Sequence, residues 1–166
     1  EKYDDAYPVW AFVEIITLGR FVDFYGFCAK RFADRDMMDN YYNLLTCKKI
    51  RNASAHNNCI LNDLKARTST NVTNASITAK LMTIQGMNMN FRKNRMSNAR
   101  IQQIVILFYL HKTMVESDGI RKAAEDELQK LMGRVNKHQE YYLSNSMISS
   151  TFNFLKLVVD NWFKTA

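Results

Sequence analysis

Apolar residues recur at intervals of three and four along most of the chain, which is the spacing of an amphipathic α-helix. Polar breaks divide this pattern into separate segments. The predicted helices cover residues 8–32, 37–57, 76–85, 97–116, 118–142 and 149–164. The pattern therefore predicts an all-α protein, a helical bundle of about five to six helices.

The first predicted helix, residues 8–32, is apolar around most of its surface and is long enough to raise the question of a membrane span. Four polar residues interrupt it at intervals of three: Glu14, Thr17, Arg20 and Asp23. They form one polar stripe, so the segment is better explained as a buried helix of a bundle. We expect no membrane association.

Residues 62–76, called the polar loop below, are rich in Thr, Asn and Ser. These side chains satisfy backbone groups locally and favour loops over helix interiors, so we expect a long, mobile connection here. A polar turn is expected around residues 86–94. The chain then forms one domain, 1–166, with a first part (1–61), the polar loop, and a helical extension (77–166). Because it starts at Glu1 without Met, we expect it to be the C-terminal part of a longer protein.

Composition supports this organisation. Hydrophobic residues make up 47% of the chain, enough for one sizeable core, while 5 Gly and 1 Pro are too few for a many-turned sheet protein. Three cysteines, an odd number without CxxC spacing, provide neither a disulfide framework nor a zinc motif. The cysteines therefore indicate a reduced cytoplasmic protein. No Asp, Glu or His cluster has metal-ligand spacing, and we expect no metal or other cofactor.

The net charge of +7 is concentrated in residues 64–115, which hold 8 basic and no acidic side chains. Residues 91–100 are the densest part, with one aromatic and four cations: Arg92, Lys93, Arg95 and Arg100. Such a composition suits phosphate contacts with base stacking. The alternative is a solvated helix start, although cations there oppose the helix dipole. We favour nucleic-acid contact.

A second polar cluster lies near the end of the helix predicted over 37–57. Lys48 and Lys49 precede Arg51, Asn52 and His56. Asn52 and His56 are four positions apart, which places them on one helix face. An imidazole can move protons near neutral pH, and a guanidinium can bind a phosphate in two places. These groups suit RNA phosphodiester chemistry, but a histidine at a helix end is more commonly a cap or a packed polar residue.

Two sequence motifs favour the catalytic interpretation of these residues over the structural one. Residues 8–14 (PVWAFVE) followed by Gly19 resemble the Pro-x-Trp-x-x-x-Glu stretch of the Abi-like proteins of bacterial abortive infection, which belong to the HEPN superfamily. Residues 51–56 (RNASAH) resemble the Arg-Asn-x-x-Ala-His signature of the same family. The resemblance covers residues 7–64, and two motifs in the right order are more specific than either alone.

The resemblance implies a HEPN-like helical bundle that forms a homodimer and cleaves RNA without metal. His56 would act as general acid or base and Arg51 would stabilise charge on the phosphate, with Asn52 positioning His56 or the phosphate. Glu14 and Asn57 would have supporting roles. For Glu14 the alternative, a buried ion pair of purely structural importance, is the one we favour.

The leading hypothesis is thus a metal-independent endoribonuclease of antiphage defence that holds its substrate with basic side chains. These are Lys48, Lys49, Arg92, Lys93, Arg95 and Arg100. The rival hypotheses are a non-catalytic RNA-binding module and a helical scaffold in a toxin or defence system. A regulatory RNA or protein partner is compatible with all three hypotheses.

Overall fold

The computed structural model describes residues 8–163, which form eight α-helices and one 3₁₀ turn and contain no β-strand. The helices are α1 (Val9–Ile15), α2 (Leu18–Arg31), α3 (Arg35–Ala55), α4 (Ala75–Met82), α5 (Met89–Met96), α6 (Ala99–Met114), α7 (Asp118–Lys137) and α8 (Ser146–Trp162), and the 3₁₀ turn is Gln139–Tyr141. The all-α prediction is confirmed, although five to six helices was too few. The end of the helix predicted over 149–164 lies outside the described residues.

The first predicted helix is in fact two helices. Ile16 and Thr17 are extended between α1 and α2, and the Thr17 hydroxyl accepts a hydrogen bond from the backbone N–H of Arg20 at 3.4 Å. A threonine side chain that caps a new helix competes with continuing the old one. No residue of α1 is buried, so the prediction of one long buried helix is wrong for its first third.

Helices α2 and α3 form an antiparallel hairpin. Ala33 reverses the chain with a φ of 51°, and the Asp34 carboxylate caps α3 by accepting from the backbone N–H of Met37 at 2.9 Å. Gly26 lies beneath the Tyr41 ring, and a Cβ at this position would lie only 2.5 Å from a ring carbon. The close packing of α2 on α3 therefore depends on a glycine.

The predicted polar turn at 86–94 is correct for residues 86–88, where Gly86 has a φ of 85°, and wrong from Met89 onwards, because α5 begins there. The Asn88 side chain caps this helix by accepting from the backbone N–H of Phe91 at 2.9 Å. Ser97, which we expected to begin the next helix, ends α5 instead, and Asn98 caps α6. Because this segment is rich in charged residues, its sequence resembles a turn, yet it forms a helix with two buried side chains, Arg92 and Met96.

The main hydrophobic core lies in the second part of the chain, where α6 and α8 pack together with α4, α5 and α7 around them. Helix α3 packs along α6 and so joins the α2–α3 hairpin to this core. The fully buried side chains of the core are Ile77, Leu81, Ile101, Val105, Phe154, Val158 and Val159.

The polar loop is a connection as predicted, except that its last two residues begin α4, but it is anchored along its length. The Asn98 amide donates to the carbonyls of Asp63 and Lys65, each at 2.9 Å, and the Gln102 amide donates to the carbonyl of Asn71 at 2.9 Å. Asn98 and Gln102 are both buried. These bonds argue against the expected mobility, because buried amides would lose their partners if the loop moved away.

Candidate functional site

Helix α3 ends in a defined backbone motif. Asn57 has a φ of 52°, its N–H donates to the carbonyl of Ser54 at 3.0 Å, and the N–H of Asn58 donates to the carbonyl of Ala53 at 2.9 Å. This pair of bonds is a Schellman motif, with Asn57 in the left-handed position that asparagine tolerates better than most residues. The motif gives Asn57 a structural role that needs no chemistry from its side chain.

Arg51, Asn52 and His56 all lie exposed at this helix end. The Arg51 guanidinium donates from Nη1 to the Asn52 Oδ1 at 3.1 Å, and the backbone N–H of His56 donates to the Asn52 carbonyl at 3.1 Å. Asn52 is therefore in contact with both of the other residues. The sequence prediction that these three residues share one helix end is correct.

The arrangement leaves reactive groups available. One guanidinium N–H is engaged by an amide, which is a neutral partner, so the positive charge of Arg51 is not neutralised there. The His56 ring is solvent-accessible at the last turn of a helix whose backbone is fixed by the Schellman motif. A cation and an imidazole are thus both exposed near this end of α3.

Glu14 does not lie where we expected it. It is exposed on α1, and within residues 8–163 no ion pair involves it. The prediction of a buried, paired carboxylate is wrong because α1 does not bury a face. The structure describes no contact of Glu14 with Arg51 or His56, so its supporting role stays a prediction.

Helix α3 approaches Gly19 of the first motif through Lys48, which precedes the second motif. The Lys48 ammonium lies 3.0 Å from the position that a Cβ on Gly19 would occupy, at the first turn of α2. A helix N-terminus disfavours a cation, so Lys48 gains little electrostatic stabilisation in this position. Because its side chain is flexible, the Lys48 ammonium can bind an anion nearby.

An open groove of about 1030 Å³ follows α3 on the side of the polar loop. We call it the α3 groove. Tyr42, Lys48, Lys49 and Asn52 line it from the helix, and residues 70–76 form the opposite wall. Two predicted RNA-binding lysines and one predicted catalytic residue therefore share a single concave surface.

The other four predicted RNA-binding cations lie in different environments. Arg95 donates from Nη1 to the Thr151 hydroxyl at 3.0 Å, and burial lowers the pKa of its guanidinium. Arg100 donates to the side chain of Gln103 at 3.1 Å. Arg95 and Arg100 thus both make internal hydrogen bonds, which favours a structural role for them. Their predicted role in RNA binding stays a prediction.

Arg92 and Lys93 line a smaller groove of about 380 Å³, and residues 71–73 of the polar loop border both this groove and the α3 groove. Arg92 is buried, whereas Lys93 is exposed. Lys93 lies in the last turn of α5, where the helix dipole favours a cation. The sequence argument that cations here oppose the helix dipole is therefore wrong for Lys93, whereas it holds for Arg100 in the first turn of α6.

Residues 8–163 contain no group of three or more His, Cys, Asp or Glu side chains that could hold a metal ion. Nor does this part of the chain contain a helix of the length and apolar character that crossing a bilayer requires.

Residues 1–62 match the family model described as Abi-like protein. This segment is similar to the Abi-like proteins. The matched residues include both motifs and the whole of α1–α3, so the resemblance inferred from the sequence is confirmed for what we now call the Abi-like segment. No curated protein and no solved structure matches the chain. Residues 63–166 lie outside the family match.

Sequence reasoning missed the aromatic residue of the α3 groove. The apolar spacing of the helix predicted over 37–57 makes Tyr42 one of its packing residues, but Tyr42 is 59% exposed. The sequence spacing could have placed Tyr42 beside the predicted site. Tyr42 and Lys49 are seven positions apart and Lys49 and Asn52 are three apart, so all three lie on one helix face. The opposite wall could not be found this way, since it comes from a distant loop.

Proposed function

We propose that this protein is a metal-independent endoribonuclease of antiphage abortive-infection defence, with its chemistry at the end of α3. The observation that carries the proposal is the joint exposure of Arg51, Asn52 and His56 at one fixed helix end within the Abi-like segment. Abi-like proteins are named for abortive infection, and these three residues are suited to RNA cleavage.

In the proposed reaction, the ribose 2′-hydroxyl attacks the adjacent phosphorus and the bond from phosphorus to the 5′-oxygen breaks. His56 accepts the hydroxyl proton, or as an imidazolium donates a proton to the leaving oxygen. Arg51 stabilises the extra negative charge of the pentacoordinate transition state, and Asn52 holds Arg51 in place. The products are a 2′,3′-cyclic phosphate and a 5′-hydroxyl.

One histidine cannot supply both proton transfers at the same moment. A homodimer would provide a second His56 across a shared cleft, as the resemblance to HEPN proteins implies. Lys48 and Lys49 would bind substrate phosphates beside the site, with Lys93 and Arg92 on the far side of residues 71–73. The same role for Arg95 and Arg100 requires that they give up internal hydrogen bonds.

The experiment compares cleavage of an RNA oligonucleotide and its DNA counterpart in the presence of EDTA. DNA lacks the attacking hydroxyl and should remain intact. His56→Ala should lower the rate of RNA cleavage by about 10²–10⁴-fold, the range typical of a lost general acid–base group. His138→Ala is the matched control, because His138 is also exposed but lies beyond α7. Cleavage that needs a metal, or that survives in His56→Ala, rejects the proposal.

A second candidate function is that of a scaffold or non-catalytic RNA-binding module. The observation in its favour is the apolar surface of α1 and α2, where Val9, Trp10, Ile15 and Phe27 are each more than 60% exposed. Patches of this kind mark interaction sites. A scaffold predicts no salt-sensitive RNA affinity, and a binding module predicts that His56→Ala weakens binding without any cleavage to lose.

A further inference from the structure

We propose that the α3 groove holds a single RNA strand, with a base stacked on Tyr42 and phosphates bound by Lys48 and Lys49, and leads that strand to Arg51 and His56. This inference rests on the proposed function, because it names the substrate form that the same site accepts. It assigns a binding role to an aromatic residue that neither the motifs nor the core requires.

The first argument is the direction of the groove. Its lining residues on α3 run from Asp39 to Asn52, a distance of about 20 Å along the helix axis at 1.5 Å per residue. It ends at Asn52, which is hydrogen-bonded to Arg51. The groove is thus long enough for several nucleotides and ends at the proposed chemistry. Asp39 at the opposite end would repel a phosphate and so limit the bound stretch.

The second argument is the state of Tyr42. Its ring lies 5.3 Å from the Tyr41 ring at an interplanar angle of 52°, and Tyr41 is itself held over Gly26 of α2. Tyr42 is therefore supported on one side while 59% of its surface remains exposed. A supported, exposed aromatic ring beside cations is the arrangement on which proteins stack unpaired bases.

The third argument is the electrostatics of the groove. Lys49 is exposed, and the Lys48 ammonium lies at the unfavourable N-terminal end of α2, from which a phosphate could draw it. The opposite wall, residues 70–76, carries Asn, Thr and Ser side chains and no acid. Such groups can hydrogen-bond to base edges and to 2′-hydroxyls.

The fourth argument concerns the form of the nucleic acid. The Gln102 amide anchors the opposite wall by donating to the Asn71 carbonyl and the Thr73 hydroxyl, both at 2.9 Å. The strand would therefore pass between two fixed walls. In a duplex the bases are paired and stacked on each other, so their faces are not available to Tyr42. The groove is thus expected to select single strands.

The experiment measures RNA binding by fluorescence anisotropy with all variants in the His56→Ala background, so that the probe stays intact. The probes are a short single-stranded RNA and the same sequence as a duplex. Tyr42→Ala should weaken binding of the single strand about tenfold, within the range measured for a lost base–aromatic stack, and leave duplex binding unchanged. Tyr42→Phe should bind like the parent. Tyr141→Ala is the control, since Tyr141 is 77% exposed but lies in the 3₁₀ turn after α7.

The second arm tests the lysines through salt dependence. Removing Lys48 and Lys49 together should reduce the slope of log affinity against log salt by about 1.4, at roughly 0.7 for each phosphate contact on a single strand. Lys130→Ala with Lys137→Ala is the matched control, because these lysines line a groove on α7 remote in sequence from the motif.

The outcomes separate this inference from the proposed function. Unchanged single-strand binding in Tyr42→Ala, or an equal loss for the duplex, overturns the inference even if the wild-type chain cleaves RNA. Weakened single-strand binding supports it even if the wild-type chain leaves RNA uncut, in which case only the proposed function fails.

Discussion

The Abi-like segment and the rest of the chain differ in how much of their apolar surface is buried. In the Abi-like segment, α1 has no buried residue, and large apolar side chains such as Trp10 and Phe27 are mostly exposed. The buried cluster that forms the main core comes from Ile77 onwards. The motif residues Arg51 and His56 thus belong to the less buried part of the molecule.

This difference has a physical reason. Under the proposed function, Arg51 and His56 act on a polyanion and must reach water, so their positions cannot be fixed by burial. At the end of α3 they are fixed instead by backbone hydrogen bonds, by the Arg51–Asn52 contact, and by the packing of α3 along α6. The second part of the chain therefore supports α3 through the packing on α6, and Gln102 of α6 holds the opposite wall of the groove.

The largest expected effect comes from making the same substitution in both regions. Phe154 is fully buried and packs edge-on against Phe91 with ring centroids 5.6 Å apart. Phe154→Ala should cost about 3–5 kcal/mol of unfolding free energy, because it removes a large apolar surface and leaves a cavity. Phe27→Ala on α2 should change stability by less than about 0.5 kcal/mol.

Chemical denaturation of both variants measures these differences directly. Equal losses in the two variants would show that the apolar surface of α2 is as well packed as the core, and the contrast between the regions would be wrong. An unchanged midpoint for Phe154→Ala would contradict the position of the core itself.

Where the apolar spacing of a helix reports burial on one face, as in α8, the sequence was sufficient to predict the helix. It failed at Ile16 and Thr17, where composition still resembled a helix while a threonine side chain capped a new one. It also failed for α5, whose charged residues resemble a turn. Local capping decided both places, and hydrophobic periodicity does not detect it.

The candidate site shows a similar division. The spacing of Arg51, Asn52 and His56 was sufficient to place them at one helix end, because neighbours on a helix face follow from sequence alone. The wall formed by residues 70–76 was not predictable. It depends on Gln102, a polar residue that the apolar pattern of α6 gave no reason to place inside.

The next prediction concerns the anchoring of the polar loop. Asn98 caps α6 and also holds the carbonyls of Asp63 and Lys65, whereas Asn145 caps α8 without any such bond to the loop. Asn145→Ala should cost about 1 kcal/mol, the usual value of a cap. Asn98→Ala should cost about 2–3 kcal/mol, because two loop carbonyls also lose their partner.

Thermal and chemical unfolding of these two variants tests the anchor, and limited proteolysis locates the effect. New cleavage within residues 62–76 is expected for Asn98→Ala alone. If the two asparagines prove equally important, the loop is held by other contacts and the wall of the α3 groove does not depend on Asn98.

The smallest expected effect distinguishes backbone from side-chain roles at Asn57. Its φ of 52° is costly for alanine and easy for glycine, so Asn57→Ala should lose about 1 kcal/mol of stability while Asn57→Gly should lose almost none. Under the proposed function, Asn57→Gly should also cleave RNA within about twofold of the parent rate, because the Schellman motif that positions His56 is preserved. A stable Asn57→Gly variant with a large loss of cleavage would instead assign the amide side chain to the chemistry, and the end of α3 would then hold four functional residues rather than three.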